Sequence, residues 1–187
     1  MNTTPTPRPL PNSYWATPLL LASDYPGAQV EAETAHRLDA LLAAGIRDFY
    51  DLTEADEPFH PYEALLRDRA VHLGLAAESV RFRRFPIPDA GVPTPKRLAE
   101  VLAALADSAA AGRRAVVHCW AGVGRTGTVV GCHLRDQLGL SGDAALAYIA
   151  NEWNGVEKSD FEQRSPKTAE QADFVRNYQP APAPAMA

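Results

Sequence analysis

An α/β fold with a mostly parallel central sheet is predicted, because strand-like and helix-like segments alternate along most of the chain. Short apolar or aromatic runs predict extended strands at 14–22, 46–52, 80–85 and 115–118. Apolar residues at helical spacing predict helices at 30–44, 62–73, 94–112, 126–138, 141–153 and 168–178. This order indicates strand–helix–strand crossovers within a single domain whose helices flank the sheet.

The first half of the chain begins with an extended segment, 14–22, that is interrupted by Pro18. Leucines recur at helical spacing within 30–44, and Gly45 is the expected end of that helix. The next segment, 46–52, is short and rich in aromatic residues, which is typical of a strand.

The middle of the chain repeats the pattern with clearer boundaries. Helix 62–73 is expected to end at Gly74, and segment 80–85 alternates apolar residues with arginines as a strand does. Thr94 provides a capping hydroxyl and Pro95 occupies the first helical position, so a helix is predicted to begin there.

The last third contains one strand and three helices. The apolar run 115–118 predicts a short buried strand, and the helix 126–138 after it is expected to stop at Gly139. Ser141 is positioned to cap the next helix, and segment 168–178 is predicted to close the domain.

Composition predicts one globular domain with short tails. The 187 residues are 46% hydrophobic and 22% charged, which excludes a wholly disordered chain. We expect a flexible Pro-rich tail at 1–12, the domain at 13–178 and a disordered Pro/Ala tail at 179–187.

Net charge and cysteine content indicate which binding partners and which cellular compartment to expect. The net charge of −5 argues against nucleic-acid binding or attachment to an anionic membrane by bulk charge. No apolar run reaches the roughly 18 residues of a membrane span, so membrane insertion is not expected. Two cysteines cannot form a disulfide scaffold, which favours a reducing, cytoplasmic location.

Residues 116–127 join a buried strand, a cysteine, a short loop and the start of a helix. After Cys119 the loop consists of Trp120, Ala121, Gly122, Val123 and Gly124. Glycines allow such a loop to curl until successive backbone N–H groups point to one centre. The helix start adds further free N–H groups and a dipole that favours an anion. A phosphate-binding loop is therefore predicted.

Arg125 and Cys119 give this loop its chemistry. The planar guanidinium can hold two phosphate oxygens at once. The positive field of the loop favours the thiolate of Cys119, which is then a nucleophile at neutral pH. The alternative is a core cysteine beside an unrelated Gly-x-Gly, and the coincidence of all these features at a strand-to-helix turn disfavours it.

The motif His118-Cys119-x5-Arg125-Thr126-Gly127 resembles the signature of the cysteine-dependent protein tyrosine phosphatase superfamily. Segment 86–93 is similar to the compact dual-specificity branch and its bacterial relatives. The resemblance extends over 14–178 and implies a protein tyrosine phosphatase-like fold. It also implies a phosphomonoester hydrolase that uses a phosphocysteine intermediate and neither a metal ion nor a cofactor.

The resemblance also implies roles for single residues. Cys119 would be the nucleophile, while Arg125 and the backbone of 120–125 would hold the phosphate oxygens. Asp89 would be the general acid and then the base, although an Asp after a proline is also a common turn residue. Thr126 would open the helix, donate to the thiolate, or do both, and His118 would orient the loop.

Other residues keep two interpretations. Gln171 resembles a glutamine that positions the attacking water in some relatives, and it could equally be a solvated helix residue. The arginines of 80–85 could frame a basic mouth, or form a solvent face with ion pairs to carboxylates. Cys132 is expected to be core packing rather than a partner for Cys119, and the histidines show no metal-ligand spacing.

The substrate implied by the resemblance is a phosphorylated protein or peptide, as for a protein tyrosine or dual-specificity phosphatase. Ile87 occupies the position where larger phosphotyrosine-specific enzymes carry tryptophan, so strict selectivity does not follow. A phosphoinositide or inositol-phosphate substrate is the second choice, because residues 120–124 contain no lysine. A non-catalytic phosphate-binding module is disfavoured by the joint presence of Cys119, Arg125 and Asp89. The oligomeric state is not predicted.

Overall fold

The computed structural model describes residues 6–180 and confirms the α/β fold. Its strands are β1 (Ser13–Thr17), β2 (Leu20–Ser23), β3 (Ile46–Asp51), β4 (Arg81–Arg84) and β5 (Arg114–His118). Its helices are α1 (Glu31–Ala43), α2 (Glu63–His72), α3 (Pro95–Ala110), α4 (Gly124–Leu138), α5 (Gly142–Trp153) and α6 (Ala169–Asn177). The predicted helix bounds agree with these to within one or two residues.

The sheet has the order β1-β2-β5-β3-β4, and every neighbouring pair except β1–β2 is parallel. The segment predicted as one interrupted strand, 14–22, forms two antiparallel strands instead. Pro18 lies in the two-residue connection between Thr17 and Leu20, where its missing N–H removes no ladder hydrogen bond. The mostly parallel sheet therefore carries one antiparallel edge hairpin.

The sheet is buried on both faces. Along β5, Val116 packs into one apolar cluster, while Ala115 and Val117 pack into the other. The cluster around Val116 includes the leucines of α1 and the buried face of α2. The cluster around Ala115 and Val117 includes buried residues of α3, α4 and α5. Alternation of side chains along a strand explains why neighbouring residues serve opposite faces.

The two ends of the chain are described in part. Residues 1–5 and 181–187 of the predicted tails lie outside the described residues. Within the predicted N-terminal tail, Leu10 is buried and the Arg8 guanidinium lies 3.5 Å from the Glu152 carboxylate. The Asn12 side chain contacts both Asp24 and the backbone of Lys158. Residues 8–12 are thus packed onto the domain.

Across residues 6–180, every helix falls short of the combined length and apolarity needed to traverse a bilayer.

Candidate active site

Three loops leave the same edge of the sheet. Asp51 at the end of β3 pairs in register with His118 at the end of β5 and with Arg84 at the end of β4. Because carboxyl ends of parallel strands meet at one edge, the segments after these strands converge there. They are the segment after β3, the acid turn (residues 88–91) after β4, and the cysteine loop (residues 119–125) after β5.

The cysteine loop forms the floor of a cavity of about 420 Å³. Cys119 is 3% exposed and lies at the point where β5 enters the loop. Most of the predicted phosphate-binding residues line this cavity, namely Trp120, Ala121, Val123, Gly124 and Arg125. Asp89 lines it from the acid turn, so the structure brings the predicted nucleophile, arginine and acid together.

The backbone of the cysteine loop turns its carbonyl groups outward. The carbonyl of Trp120 accepts from Tyr25 N at 2.9 Å, that of Ala121 from Lys158 Nζ at 3.4 Å, and that of Val123 from Ser165 Oγ at 2.8 Å. Within residues 6–180, no backbone N–H of 120–125 donates a hydrogen bond to another protein group. A run of unpaired backbone donors that follows a cysteine and leads into a helix start is typical of an anion-binding loop.

Gly122 makes the curl of this loop possible. Its φ is +75°, a conformation in which side chains with a Cβ are strained. A Cβ at this position would lie 2.7 Å from the carbonyl oxygen of Ser23, so β2 leaves no space for a side chain. The loop can therefore pack against β2 only with glycine at this position.

Arg125 is 2% exposed and is held by fixed partners. Its Nη2 donates to Glu57 Oε2 at 3.0 Å and lies 3.2 Å from Asp89 Oδ1. Its Nη1 donates to Glu57 Oε1 and to the carbonyl of Ile87 at 3.2 Å. Its Nε is buried and has no partner within residues 6–180. Nε is thus an unpaired donor next to Nη2, the nitrogen that Asp89 contacts.

Glu57 is the functional residue that the sequence did not reveal. Burial disfavours the charged form of its carboxylate, but hydrogen bonds from Arg125 and from the Glu54 N–H outweigh this effect. The pKa of Glu57 consequently lies below its ordinary 4.5, and the side chain stays ionised at neutral pH. The residue orients the guanidinium by a bidentate pair.

Replacing Glu57 by alanine is expected to lower both stability and activity. The change leaves a buried guanidinium without its main partner, which costs about 3–5 kcal/mol of unfolding free energy. A misplaced guanidinium is expected to lower kcat/KM about 10²-fold. Denaturant unfolding and steady-state assays with an aryl phosphate measure the two effects.

Glu54→Ala is the matched control, because Glu54 lies in the same segment and contributes its backbone N–H rather than its side chain to Glu57. We expect this control to stay close to the unaltered protein in both measurements. Equal losses of stability and activity in the two variants would show that the segment matters only as a loop. Glu57 would then have no role of its own in orienting Arg125.

Asp89 lies in a tight turn. Gly91 N donates to Pro88 O at 3.0 Å, and Ala90 between them has a φ of +58°. The Asp89 side chain is 71% exposed, and its 3.2 Å contact with Arg125 aims it at the cysteine loop. Asp89 is therefore a turn residue, and its side chain also lies next to the cysteine loop.

His118 lies beneath the loop, away from the cavity lining. It is fully buried, accepts from the Tyr62 hydroxyl at 2.6 Å through Nε2, and faces the Cys119 carbonyl through Nδ1 at 3.4 Å. Burial lowers the pKa of His118 below its ordinary 6.5, although the nearby Asp51 charge opposes the shift. A neutral imidazole held between the Tyr62 hydroxyl and the Cys119 carbonyl can orient the start of the cysteine loop.

Thr126 and Gln171 lie next to the loop with different surroundings. The Thr126 hydroxyl is buried and has no hydrogen-bond partner within residues 6–180, so the predicted contact with the thiolate is not formed in this structure. Gln171 is fully buried and lines the cavity, which differs from the interpretation as a solvated helix residue. It enters the site because α6 begins at the cavity wall.

The remaining candidates lie outside this cavity. Arg84 donates to Asp51 at 3.0 Å and Arg83 stacks on Phe85, so these arginines form pairs at the sheet rather than a cavity wall. Cys132 is fully buried, and burial raises the pKa of its thiol to about 12, as core packing requires. In residues 6–180 no cluster of three or more His, Cys, Asp or Glu is arranged for a metal ion.

Solved structures with the same fold include three informative ones. The active form of Tk-PTP has a TM-score of 0.67 and 23% identity, covering 89% of this chain and 95% of that chain. PTPMT1 in complex with PI(5)P has a TM-score of 0.65 and 17% identity, covering 88% and 92%. A cysteine-to-serine variant of P. aeruginosa TpbA in complex with pTyr has a TM-score of 0.61 and 20% identity, covering 91% and 86%.

A family model identifies the chain more directly. The model described as "Swiss Army Knife protein, DSP-PTPase phosphatase domain" matches residues 22–183, which includes every loop of the cavity. The match covers most of the chain, including Cys119, Arg125 and Asp89, and the chain therefore belongs to this family of cysteine-dependent phosphatases.

Proposed function

We propose that the protein hydrolyses phosphorylated tyrosine, and phosphorylated serine and threonine more slowly, in proteins and peptides. The reaction needs no metal ion and passes through a phosphocysteine. The observation that supports the proposal best is the set of unpaired N–H groups of 120–125 around Cys119, completed by the unpaired Nε of Arg125. These donors suit the three equatorial oxygens of a phosphoryl group in transfer.

The first step transfers the phosphoryl group to sulfur. The Cys119 thiolate attacks phosphorus in line, so an S–P bond forms as the P–O bond to the leaving group breaks. Asp89 gives its proton to the departing oxygen. The amides of 120–125 and the guanidinium of Arg125 hold the other oxygens.

The second step releases phosphate. Water attacks phosphorus while the Asp89 carboxylate takes its proton, and the S–P bond breaks to return the thiolate. A hydroxyl donor near sulfur would stabilise that departing thiolate. The buried, unpartnered hydroxyl of Thr126, at the first turn of α4, is available for this role.

Binding of substrate requires Asp89 to release Arg125. The Glu57 carboxylate accepts from both Nη1 and Nη2 at the end of the guanidinium. Only the Nε–Nη2 edge is therefore left to bind phosphate oxygens. On that edge, Nη2 lies 3.2 Å from the Asp89 carboxylate. A phosphate that displaces this carboxylate frees Asp89, which takes up a proton from solvent before it approaches the leaving oxygen as the acid.

Aromatic side chains next to the nucleophile favour an aryl phosphate. Trp120 directly follows Cys119, lines the cavity and is 57% exposed. The centroid of its ring lies 5.4 Å from that of Phe59, and the two planes are tilted by 36°. A tyrosine ring can stack on this surface, with a gain of about 0.5–1.5 kcal/mol per aromatic pair.

Two lysines support a phosphoinositide or inositol phosphate as the second candidate. Lys158 and Lys167 line the cavity from outside the cysteine loop and could meet a second phosphate. Each already has a carboxylate partner, Asp24 at 3.0 Å for Lys158 and Glu162 at 2.6 Å for Lys167. These partners weaken the attraction for further phosphates, and the exposed indole of Trp120 supports the aryl substrate as the first candidate.

A direct test compares substrates at equal enzyme concentration in the presence of a chelator. We expect hydrolysis of p-nitrophenyl phosphate, its inhibition by vanadate, and a kcat/KM for a phosphotyrosine peptide about 10-fold above that for a soluble phosphoinositide. Trp120→Ala is expected to reduce this preference. Activity that requires an added metal ion would overturn the mechanism, and a preference for the phosphoinositide would overturn the substrate class.

A further inference from the structure

We infer that Gln171 is a positioning residue for the general acid, because its side-chain amide ties the acid turn to the first turn of α6. The inference rests on the proposed role of Asp89 as the acid. It assigns Gln171 a task different from positioning water.

The contacts of the Gln171 amide connect three parts of the site. Its Nε2 donates to the carbonyl of Gly91 at 2.9 Å, and its Oε1 accepts from Thr168 N at 3.1 Å. The Thr168 hydroxyl in turn accepts from Gln171 N at 3.1 Å, which completes a capping box. The cap fixes the side chain, and the remaining donor is then aimed at the acid turn.

The acid turn needs such a tether on its C-terminal side. On the N-terminal side, Ile87 is fully buried, donates to Leu52 O at 3.1 Å and accepts from Arg125. Beyond it, Asp89 is largely exposed, and Ala90 has a φ of +58°, which is unfavourable for a residue with a Cβ. Backbone in this conformation persists only where neighbouring contacts hold it. The bond from Gln171 to Gly91 is such a contact.

Gln171 also lies against the cysteine loop. A Cβ on Gly124 would come within 2.8 Å of Gln171 Oε1, so the amide packs directly on the loop backbone. The side chain therefore sets the spacing between the acid turn and the loop that holds the phosphate. Without the bond from Gln171 to Gly91, Asp89 would no longer be held in position to protonate the leaving oxygen.

The test uses Gln171→Met, which keeps the length and burial of the side chain but removes the donor to Gly91. We expect kcat/KM for phenyl phosphate, a poor leaving group, to fall about 10-fold more than that for p-nitrophenyl phosphate, as loss of one hydrogen bond allows. Gln171→Glu, which retains an acceptor for Thr168 N, is the second variant if the first fails to fold.

Thr168→Ala is the matched control. It removes the helix cap, which costs about 1 kcal/mol of stability, but it leaves the amide that reaches Gly91. We expect its ratio of kcat/KM for the two phosphates to match that of the unaltered protein. An equal change in this ratio would mean that general loosening of α6, rather than the tether, controls the acid.

A double variant separates action through Asp89 from any other effect. In the Asp89→Ala background, Gln171→Met is expected to leave the ratio of the two phosphates unchanged, because there is no acid left to position. Additive effects would overturn the inference. So would an unchanged ratio in Gln171→Met accompanied by a larger burst of p-nitrophenol, which is the result for a residue that positions water.

The inference and the proposed function can fail separately. If Asp89→Ala itself leaves the ratio of the two phosphates unchanged, the acid assignment fails. If Asp89→Ala changes the ratio and Gln171→Met does not, only the positioning role of Gln171 fails.

Discussion

Cys119→Ser is expected to abolish turnover while phosphate binding persists. A serine hydroxyl stays protonated at neutral pH and is a poor nucleophile, so kcat should fall at least about 10⁴-fold. The donors proposed to hold phosphate are the amides of 120–125 and Arg125, none of which the substitution alters. A stopped assay with p-nitrophenyl phosphate and thermal shifts with added phosphate measure the two properties.

Cys132→Ala is the control for this variant. Cys132 is the other cysteine, fully buried in the core around α4. We expect Cys132→Ala to reduce thermal stability but to keep its activity below the melting temperature. Residual turnover of Cys119→Ser near that of the unaltered protein would contradict a thiolate mechanism, and loss of the phosphate-induced shift would contradict the amide ring as the binding element.

Asp89→Ala has the second largest expected effect. Removing a general acid is expected to slow phenyl phosphate by about 10²–10⁴-fold, but p-nitrophenyl phosphate much less, because its leaving group departs without a proton. Steady-state kcat/KM values for the two substrates measure this difference.

Glu162 provides a matched carboxylate for this comparison. It lines the same cavity but pairs with Lys167 at 2.6 Å, whereas Asp89 contacts Arg125. We expect Glu162→Ala to retain the leaving-group dependence of the unaltered protein. If Glu162→Ala flattens that dependence and Asp89→Ala does not, the acid has been assigned to the wrong residue.

The elements that sequence predicts well are those with local causes. Helix α3 begins directly after Thr94 because the Thr94 hydroxyl accepts from Arg97 N at 3.2 Å, and α5 begins after Ser141 for the same reason. The cysteine loop is equally local, since the strand, the glycines and the helix start adjoin one another in the chain. Such features depend on near neighbours, which the sequence displays directly.

The features that sequence analysis missed depend on strand order. Glu57 lies 68 positions from Arg125, and its segment carries no signature of a site. The two meet because β3 pairs with β5, an arrangement that no local pattern specifies. The bond from Gln171 to Gly91 spans 80 positions and forms only when α6 packs beside the acid turn. The hairpin β1–β2 was missed because Pro18 indicated an interruption rather than a reversal of direction.

The most direct measurement is to trap the intermediate. Rapid acid quench during turnover of an aryl phosphate, followed by peptide mass spectrometry, should find one phosphoryl group on the peptide that contains Cys119. The same label should be absent from Cys119→Ser. Continued turnover without phosphorylated Cys119, or with the label on another residue, would contradict the phosphocysteine mechanism.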